Sequence, residues 1–146
     1  WIADAQRNST DGRLNSNRTA EEAENAVLSH TNKDDNITAT FANTNHTAIT
    51  IGSVTIGKDE CFSLHTYQKN AAQSVTDIDT ANFTQAILYD GTFNSSDGNI
   101  VYETKIESNL AGYDSTETYD FQMIVPEVGL ATFTGSTAYY FYVELT

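Results

Sequence analysis

The sequence of 146 residues contains a single cysteine and a single proline, few basic residues and no long hydrophobic run. Because Cys61 has no second cysteine to pair with, an internal disulfide is excluded and the fold must rest on its hydrophobic core. No stretch of about 18 apolar residues occurs, so we expect no transmembrane helix and no direct membrane contact within this chain. The net charge of −13 disfavours nucleic acid and anionic lipid as partners.

The negative charge is distributed unevenly along the chain. Residues 1–33 carry five acidic and four basic residues, whereas residues 34–146 carry fifteen acidic residues and three lysines. We therefore predict an N-terminal segment, 1–33, that acts as a tether or docking arm, and a domain, 34–146, whose acidity keeps it soluble. Because the sequence starts at Trp1 rather than Met, we expect that a cleaved leader or a removed anchor preceded it, or that Trp1 is an arbitrary boundary within a longer chain.

One short helix is predicted in the N-terminal segment. Thr19 and Glu22 have the spacing of a capping box, in which each side chain binds a free backbone N–H group of the first turn. An apolar stripe follows at helical spacing, formed by Ala20, Ala23, Ala26 and Val27. The helix is therefore expected to begin at Thr19, to bury this stripe and to end near His30.

From residue 37 onward, apolar residues alternate with polar ones, which is the period of a β-strand. The stretch 36–52 (NITATFANTNHTAITIG) predicts a hairpin with strands 37–41 and 49–51 and a turn at 43–46. Val54 and Ile56 are out of phase with residues 49–51, so Gly52-Ser53 predicts a bulge or a strand break. Further strands are predicted at 62–67, 83–93, 99–107, 117–125 and 137–145, with a long loop at 68–81. About seven antiparallel strands in one small domain favour an all-β, two-sheet β-sandwich.

Residues 113–121 (YDSTETYDF) resemble the turn into a late strand of fibronectin-III and immunoglobulin-like domains. The resemblance implies an immunoglobulin-like sandwich in which Tyr113 is an apolar core anchor and the Tyr119 hydroxyl binds the backbone. These families usually have Leu and a Pro-Gly pair in the segment, where this chain has Tyr and Ser-Thr.

The stretch 36–52 is similar to the strand, Asn-Thr-Gly, strand segment in the β-domains of archaeal pilins and archaellum accessory proteins, with Asn43-Thr-Asn45 at the turn. In those families a hydrophobic N-terminal helix anchors an extracytoplasmic β-sandwich. The resemblance implies a cell-surface protein whose partners are other filament subunits or proteins of the cell envelope.

Six Asn-x-Ser/Thr triplets carry the acceptor signal for N-linked glycans: Asn8, Asn17, Asn36, Asn45, Asn82 and Asn94. Most of them fall at predicted strand ends, turns or loops, where a bulky sugar is tolerated. We predict that at least two are glycosylated, which places the protein outside the cytoplasm. The alternative is that Asn and Thr are simply abundant turn and strand residues here.

No group of residues indicates a catalytic or metal site. Cys61 and His65 share a face of a predicted strand but lie about 13 Å apart at 3.3 Å per residue, so Cys61 is expected to be a buried apolar residue. His30 and His46 have no ligand spacing. We predict no enzyme activity and no cofactor. The alternatives are calcium at oxygen-rich turns (34–36, 77–82 and 97–99) and a secreted hydrolase that uses two unidentified carboxylates.

The last predicted strand, 137–145, is aromatic on both faces. The face of Tyr139, Phe141, Val143 and Leu145 is expected in the core. The opposite face carries Tyr140 and Tyr142, a residue type enriched at protein contacts. We predict that Tyr140, Tyr142 and the adjoining Tyr139 form a contact with a neighbouring subunit. The alternative is that the outer tyrosines cover neighbouring side chains of a central strand.

We therefore expect a non-enzymatic, extracellular structural protein, a homo-oligomeric subunit or accessory component of an archaeal-type cell-surface filament. A second expectation is an adhesin, or a module that binds carbohydrate or cell-wall protein through the loops at 68–82 and 126–136.

Overall fold

The computed structural model describes residues 14, 16–52, 54–66, 83–91, 98–114, 116–136 and 138–144. In this part of the chain, two helices precede seven strands in three antiparallel sheets, so the fold is predominantly β, as predicted. The helices are α1 (Arg18–Val27) and α2 (Ile37–Thr40). The strands are β1 (Ile49–Ile51), β2 (Val54–Ile56), β3 (Ser63–Thr66), β4 (Phe83–Tyr89), β5 (Ile100–Thr104), β6 (Leu110–Ala111) and β7 (Thr118–Tyr119).

The predicted helix is confirmed as α1, but its N-cap is Asn17 rather than Thr19. The Asn17 side chain accepts a hydrogen bond from the Ala20 N–H at 3.3 Å, which satisfies one of the free donors of the first turn. Asn competes with Thr for this role because its side-chain oxygen reaches the same backbone groups. The helix therefore begins earlier than the capping-box pattern indicates.

The buried face of α1 is partly polar, which corrects the predicted alanine stripe. Ala20, Glu21 and Asn25 are buried, whereas Val27 is 74% exposed. Asn25 Oδ1 accepts the Ile37 N–H at 2.9 Å, and Asn25 Nδ2 donates to Thr38 Oγ1 at 3.2 Å. The side chain thus connects α1 to the first turn of α2.

The strand predicted at 37–41 is wrong, because these residues form the helical turn α2 and its C-cap. Asn36 Oδ1 accepts the Ala39 N–H at 2.8 Å and caps the turn. Ile37 and Phe41 lie four residues apart, so their alternation also fits one side of a helix, and both are 2% exposed. The predicted hairpin at 36–52 is therefore absent.

Strands β3, β4 and β5 form the central sheet, in that order, with Leu64 opposite Gln85 and Ile87 opposite Tyr102. Strands β1 and β2 form a hairpin in which Ile51 pairs with Val54, so residues 52–53 connect the two strands directly. Gly52 has a φ of 58°, the left-handed region that short hairpin connections require. Of the two alternatives predicted at Gly52-Ser53, the strand break is confirmed, because β1 ends at Ile51 and β2 begins at Val54. Strands β6 and β7 form a third, two-stranded sheet.

The central sheet is covered on both faces. Leu28, Ile37 and Phe41, from the ends of the helices, pack against Leu64 and Ile87 on one face. Because side chains alternate along a strand, Ala86 and Leu88 point to the other face. There they pack against Ile51, Ile56 and Cys61. The described structure thus has three layers: helices, central sheet and the β1–β2 hairpin.

Other predicted elements are confirmed in part. Strands β3, β4 and β5 lie within the stretches predicted at 62–67, 83–93 and 99–107. Of the strand predicted at 117–125, only the two residues of β7 are in a strand. The strand predicted at 137–145 is absent from the described residues 138–144. The predicted loop at 68–81 lies outside the described residues. The division at residue 33 stays a prediction, and Leu28 shares a core with Ile87.

Candidate functional site

The residues 138–144, called here the C-terminal segment, present aromatic side chains to solvent. Tyr140 is 81% exposed, Phe141 67%, Tyr142 60% and Val143 68%. The exposure of Tyr140 and Tyr142 agrees with the predicted contact face. The prediction that Phe141 and Val143 belong to the core is wrong, because the described part of this segment joins no sheet that could bury one of its faces.

Both ends of the C-terminal segment are held by the rest of the chain. The Tyr139 hydroxyl donates to the Pro126 carbonyl, and Glu144 Oε1 accepts the Gly52 N–H at 2.7 Å. Partial burial raises the pKa of Tyr139, and the nearby carboxylates of Glu24 and Glu127 raise it further. Tyr139 is thus an anchor, while the four residues after it are exposed.

The exposed aromatic area of this segment is large for a single stretch of chain. A buried aromatic side chain covers about 200 Å², so the exposed fractions of Tyr140, Phe141 and Tyr142 amount to about 400 Å². The largest apolar patch on a typical monomer is about 300–600 Å² in total and is often functional. Three consecutive aromatic residues therefore supply an area of that size before other exposed residues are counted.

Arg18, which is half-buried, and the buried Glu21 form an ion pair that sequence reasoning missed. Arg18 Nη1 donates to Glu21 Oε2 at 2.6 Å, and the guanidinium lies 3.6 Å from the centre of the Phe62 ring. The same guanidinium donates to the carbonyls of Thr38 and Phe41 at 3.2 and 3.1 Å. The i, i+3 spacing on a helix was the available sequence signal. The pair connects α1, α2 and the strand region.

Burial raises the pKa of two carboxyl groups, those of Glu21 and Glu103. Burial raises the pKa of Glu21 from 4.5 to about 7, although the Arg18 guanidinium opposes the shift. Glu21 Oε1 has no hydrogen-bond partner. Glu103 lies opposite Ala86 and so faces the β1–β2 hairpin, where burial raises its pKa to about 7. With 1% of its surface exposed, Glu21 has a structural position rather than access to a substrate.

The ring nitrogens of the two buried histidines bind protein groups. His46 Nε2 accepts the Cys61 N–H at 2.9 Å, and its Nδ1 therefore donates to the Thr47 carbonyl at 2.6 Å. His65 Nε2 donates to the Asn45 carbonyl at 2.8 Å, and Nδ1 contacts Thr84 Oγ1 at 3.0 Å. Cys61 is fully buried, which confirms its predicted role as a core residue.

Metal-binding geometry is absent from the described part of the chain. Those residues contain no group of three His, Cys, Asp or Glu side chains that could hold a metal ion. Of the oxygen-rich turns proposed for calcium, Asp34 and Asp35 are exposed and Asn36 caps α2. Residues 77–82 and 97 lie outside the described residues. His30 is half-buried and belongs to no ligand group.

The glycan acceptor sites occupy different environments. Asn17 is 4% exposed and caps α1, whereas Asn36 and Asn45 are half-buried. Asn8, Asn82 and Asn94 lie outside the described residues. Use of these sites stays a prediction.

The two tyrosines of the predicted corner are both on the surface. Tyr113 is 61% exposed and therefore does not pack in the core as the resemblance implies. Tyr119 is 39% exposed and lies in β7 opposite Leu110. The two-stranded sheet formed by β6 and β7 leaves both rings outside the two core clusters.

Within the described residues, no helix is long and apolar enough to cross a membrane. Comparisons of the chain with protein-family models, curated proteins and solved structures found no match.

Proposed function

We propose that this protein is a non-enzymatic structural protein that acts through protein–protein contacts made by its C-terminal segment. The supporting observation is the exposure of Tyr140, Phe141 and Tyr142 between two anchored residues. Tyrosine and phenylalanine are enriched at protein contacts, and the largest apolar patch of a monomer, which is typically of this size, is often functional. The partner class is another subunit of the same assembly.

The cellular setting of the proposal is an extracellular, archaeal-type surface filament, of which this chain is a subunit or accessory component. Its support is the presence of six Asn-x-Ser/Thr triplets, the acceptor signal for N-linked glycans, in the chain. The proposed fold is an immunoglobulin-like β-sandwich, in which the β1–β2 hairpin belongs to one layer and the central sheet to the other. The packing of Ile51 and Ile56 against Leu88 supports that arrangement.

Light scattering coupled to size-exclusion chromatography, with electron microscopy, tests the proposed assembly. The wild-type chain is expected to form oligomers or fibres as its concentration rises. Tyr140→Ser is expected to weaken assembly at least tenfold, since it removes the most exposed aromatic ring of the segment. Tyr113→Ser is the matched control, because Tyr113 is also exposed but lies outside the segment. A chain that stays monomeric at all concentrations, or equal effects of the two variants, would contradict the proposal.

A second candidate function is a binding module, and the exposure of Leu130 and Phe133 favours it. They are 52% and 44% exposed within the predicted binding loop at 126–136. Exposed apolar residues of this kind can contact a carbohydrate or a cell-wall protein. A glycan array and a pull-down on purified envelope protein would test this function. Binding that Phe133→Ser removes would support it, whereas two negative results would exclude these ligands.

A further inference from the structure

We infer that the hairpin formed by β6 and β7 is a second interaction surface of this protein, which binds an arginine- or lysine-rich segment of a different protein. The inference goes beyond the proposed function, because it concerns another part of the chain and a partner of opposite charge. The hairpin surface, as it is called here, consists of three aromatic and three acidic residues: Tyr113, Tyr119, Phe121, Asp114, Glu117 and Asp120.

The aromatic residues of the hairpin surface are exposed to solvent. Tyr113 is 61% exposed, Phe121 48% and Tyr119 39%. An aromatic side chain has about 200 Å² of surface to bury, so the three rings together expose about 300 Å². Within the described structure, the two-stranded sheet that carries them contributes no residue to either core cluster. An apolar patch of this size on a monomer is often functional.

Tyr119 is held in place by the backbone of the facing strand. Leu110 lies opposite Tyr119 in the sheet, so Gly112 lies diagonally across from the tyrosine ring. A Cβ atom at Gly112 would collide with that ring, so the ring rests directly on the glycine backbone. The ring is therefore fixed in position while part of its surface stays open to a partner.

The hairpin holds the other aromatic residues close to Tyr119. Glu117 and Phe121 are two residues before and two residues after it, about 7 Å away along an extended chain. The Tyr113 N–H donates to Gln122 Oε1 at 2.5 Å, which ties the turn of the hairpin to the chain that follows β7. A carboxylate and the aromatic rings are therefore neighbours on this hairpin.

The charge around the hairpin is almost entirely negative. Residues 105–121 contain four acidic residues and one lysine. That lysine, Lys105, forms an ion pair with Glu107 at 3.0 Å. Within the described structure, Asp114, Glu117 and Asp120 are exposed and form no ion pair with a basic residue. The chain itself therefore does not neutralise these three carboxylates.

Aromatic rings beside carboxylates are suited to arginine and lysine. The face of a ring attracts a cation, and the aliphatic part of the same basic side chain packs on apolar surface. The interior of this chain contains one such arrangement, in which the Arg18 guanidinium lies 3.6 Å from the centre of the Phe62 ring and binds Glu21. The hairpin surface presents the same kinds of group to solvent, so the side chain that it lacks is a basic one.

The negative charge also disfavours the other occupants of such a surface. A second copy of the chain carries a net charge of −13 and is repelled by the carboxylates. Nucleic acid and anionic lipid are repelled for the same reason. An arginine- or lysine-rich protein segment gains both attraction to the carboxylates and contact with the rings. A segment of this kind is therefore the occupant that the surface fits.

Fluorescence anisotropy with labelled octa-arginine tests the charge complementarity on the full chain. The wild type is expected to bind the peptide, with a dissociation constant that rises at least tenfold between about 50 and 500 mM sodium chloride. The double variant Glu117→Gln/Asp120→Asn is expected to raise the dissociation constant about fivefold at the lower salt concentration. The matched control is Asp34→Asn/Asp35→Asn, which removes the same charge from exposed positions outside the hairpin and is expected to change it less than about twofold.

Substitutions of the aromatic residues test whether the rings bind the cation. Phe121→Leu keeps an apolar side chain but removes the aromatic face, so the dissociation constant for octa-arginine is expected to rise about threefold. Tyr119→Phe keeps the aromatic face and is expected to bind as the wild type does. Equal affinities of Phe121→Leu and the wild type would mean that the aromatic face takes no part, which would overturn the surface as proposed.

Chemical shifts of the backbone amides, measured by NMR, locate the bound peptide. Octa-arginine is expected to shift the amides of residues 113–121 and to leave those of residues 34–36 and 140–143 unchanged. Octa-glutamate is the control of opposite charge and is expected to shift none of them. The same spectra show whether each variant keeps the fold of the wild type.

Four further outcomes would overturn the inference. Equal weakening by the two double variants would mean a general attraction to an acidic chain, and the absence of binding or shifts centred outside residues 113–121 would remove the site. Tighter binding of spermine than of octa-arginine would assign the surface to a small polyamine. Shifts of the hairpin amides that depend on protein concentration alone would assign it to a second copy. The proposed assembly is tested separately, by Tyr140→Ser in the chain without peptide.

Discussion

The buried carboxyl group of Glu21 is expected to make the stability of this protein depend on pH. Its pKa is about 7 in the folded chain and 4.5 as an ordinary carboxyl group. Below pH 4.5 both states hold the proton. Between pH 4.5 and 7 the folded state keeps the proton that the unfolded state has lost, so the free energy of unfolding falls as pH rises and levels off above pH 7. At 1.36 kcal/mol per pH unit, the full loss is about 3 kcal/mol.

The variant Glu21→Gln isolates this contribution. Glutamine resembles the protonated carboxyl group and can still accept a hydrogen bond from Arg18. Between pH 5 and pH 8, the wild type is expected to lose about 2–3 kcal/mol more stability than the variant. Urea unfolding followed by circular dichroism at the two pH values measures the difference. Glu103 has a raised pKa in the same range and is present in both proteins, so its effect cancels in the comparison.

The control for this experiment is Glu22→Gln, which removes the same charge from an exposed position on the same helix. Its pH profile is expected to stay close to that of the wild type, because the charge of Glu22 makes the smallest of the three contributions to the pKa of Glu21. If the two variants have the same profile, the change reflects overall charge rather than the burial of Glu21, and the reasoning fails.

Three further predictions concern stability and modification. Asn17→Ala is expected to lower the free energy of unfolding by about 1 kcal/mol, because Asn17 caps α1, and Thr19→Ala is expected to lower it by much less. The opposite order of the two variants in urea unfolding would indicate that Thr19 is the cap. Phe41→Ala is expected to lower the free energy of unfolding by about 3–5 kcal/mol, because Phe41 is buried, whereas Val27→Ala at an exposed position is expected to change it by less than about 0.5 kcal/mol. Equal shifts of the two variants in thermal unfolding would contradict the assigned core. In a glycosylating host, mass spectrometry of tryptic peptides is expected to find a glycan on Asn36 and none on the buried Asn17, and a glycan on Asn17 alone would contradict this order.

Sequence reasoning was most successful in the centre of the chain. The runs around β3, β4 and β5 alternate or are continuously apolar, and their burial against two layers agrees with those patterns. It was least successful where two patterns overlap. The spacing of Ile37 and Phe41 fits both a strand and a helical turn. The helical turn is stabilised by the side chains of Asn36 and Asn25, whose oxygens accept hydrogen bonds from its backbone N–H groups.

The candidate site shows the same division. The aromatic residues of the C-terminal segment are evident from the sequence, and so is the suggestion that Tyr140 and Tyr142 contact a partner. The exposure of Phe141 could not be predicted, because an alternating pattern indicates that a segment can form a strand but not whether a sheet edge is available to pair with it. The ion pair of Arg18 and Glu21 was also missed, since the burial of Glu21 and the contacts of Arg18 depend on how α1 packs in the folded chain.

The sequence by itself determined the class of the protein: a mainly β domain, without disulfides, stabilised by an apolar core and strongly acidic on its surface. These properties depend on composition and on short-range periodicity, which act before any long-range contact forms. The tertiary structure decided which segments obtained partners. Residues 43–45 cover β3, and the C-terminal segment lies anchored and exposed, because hydrogen bonds between distant residues form only when the chain has folded.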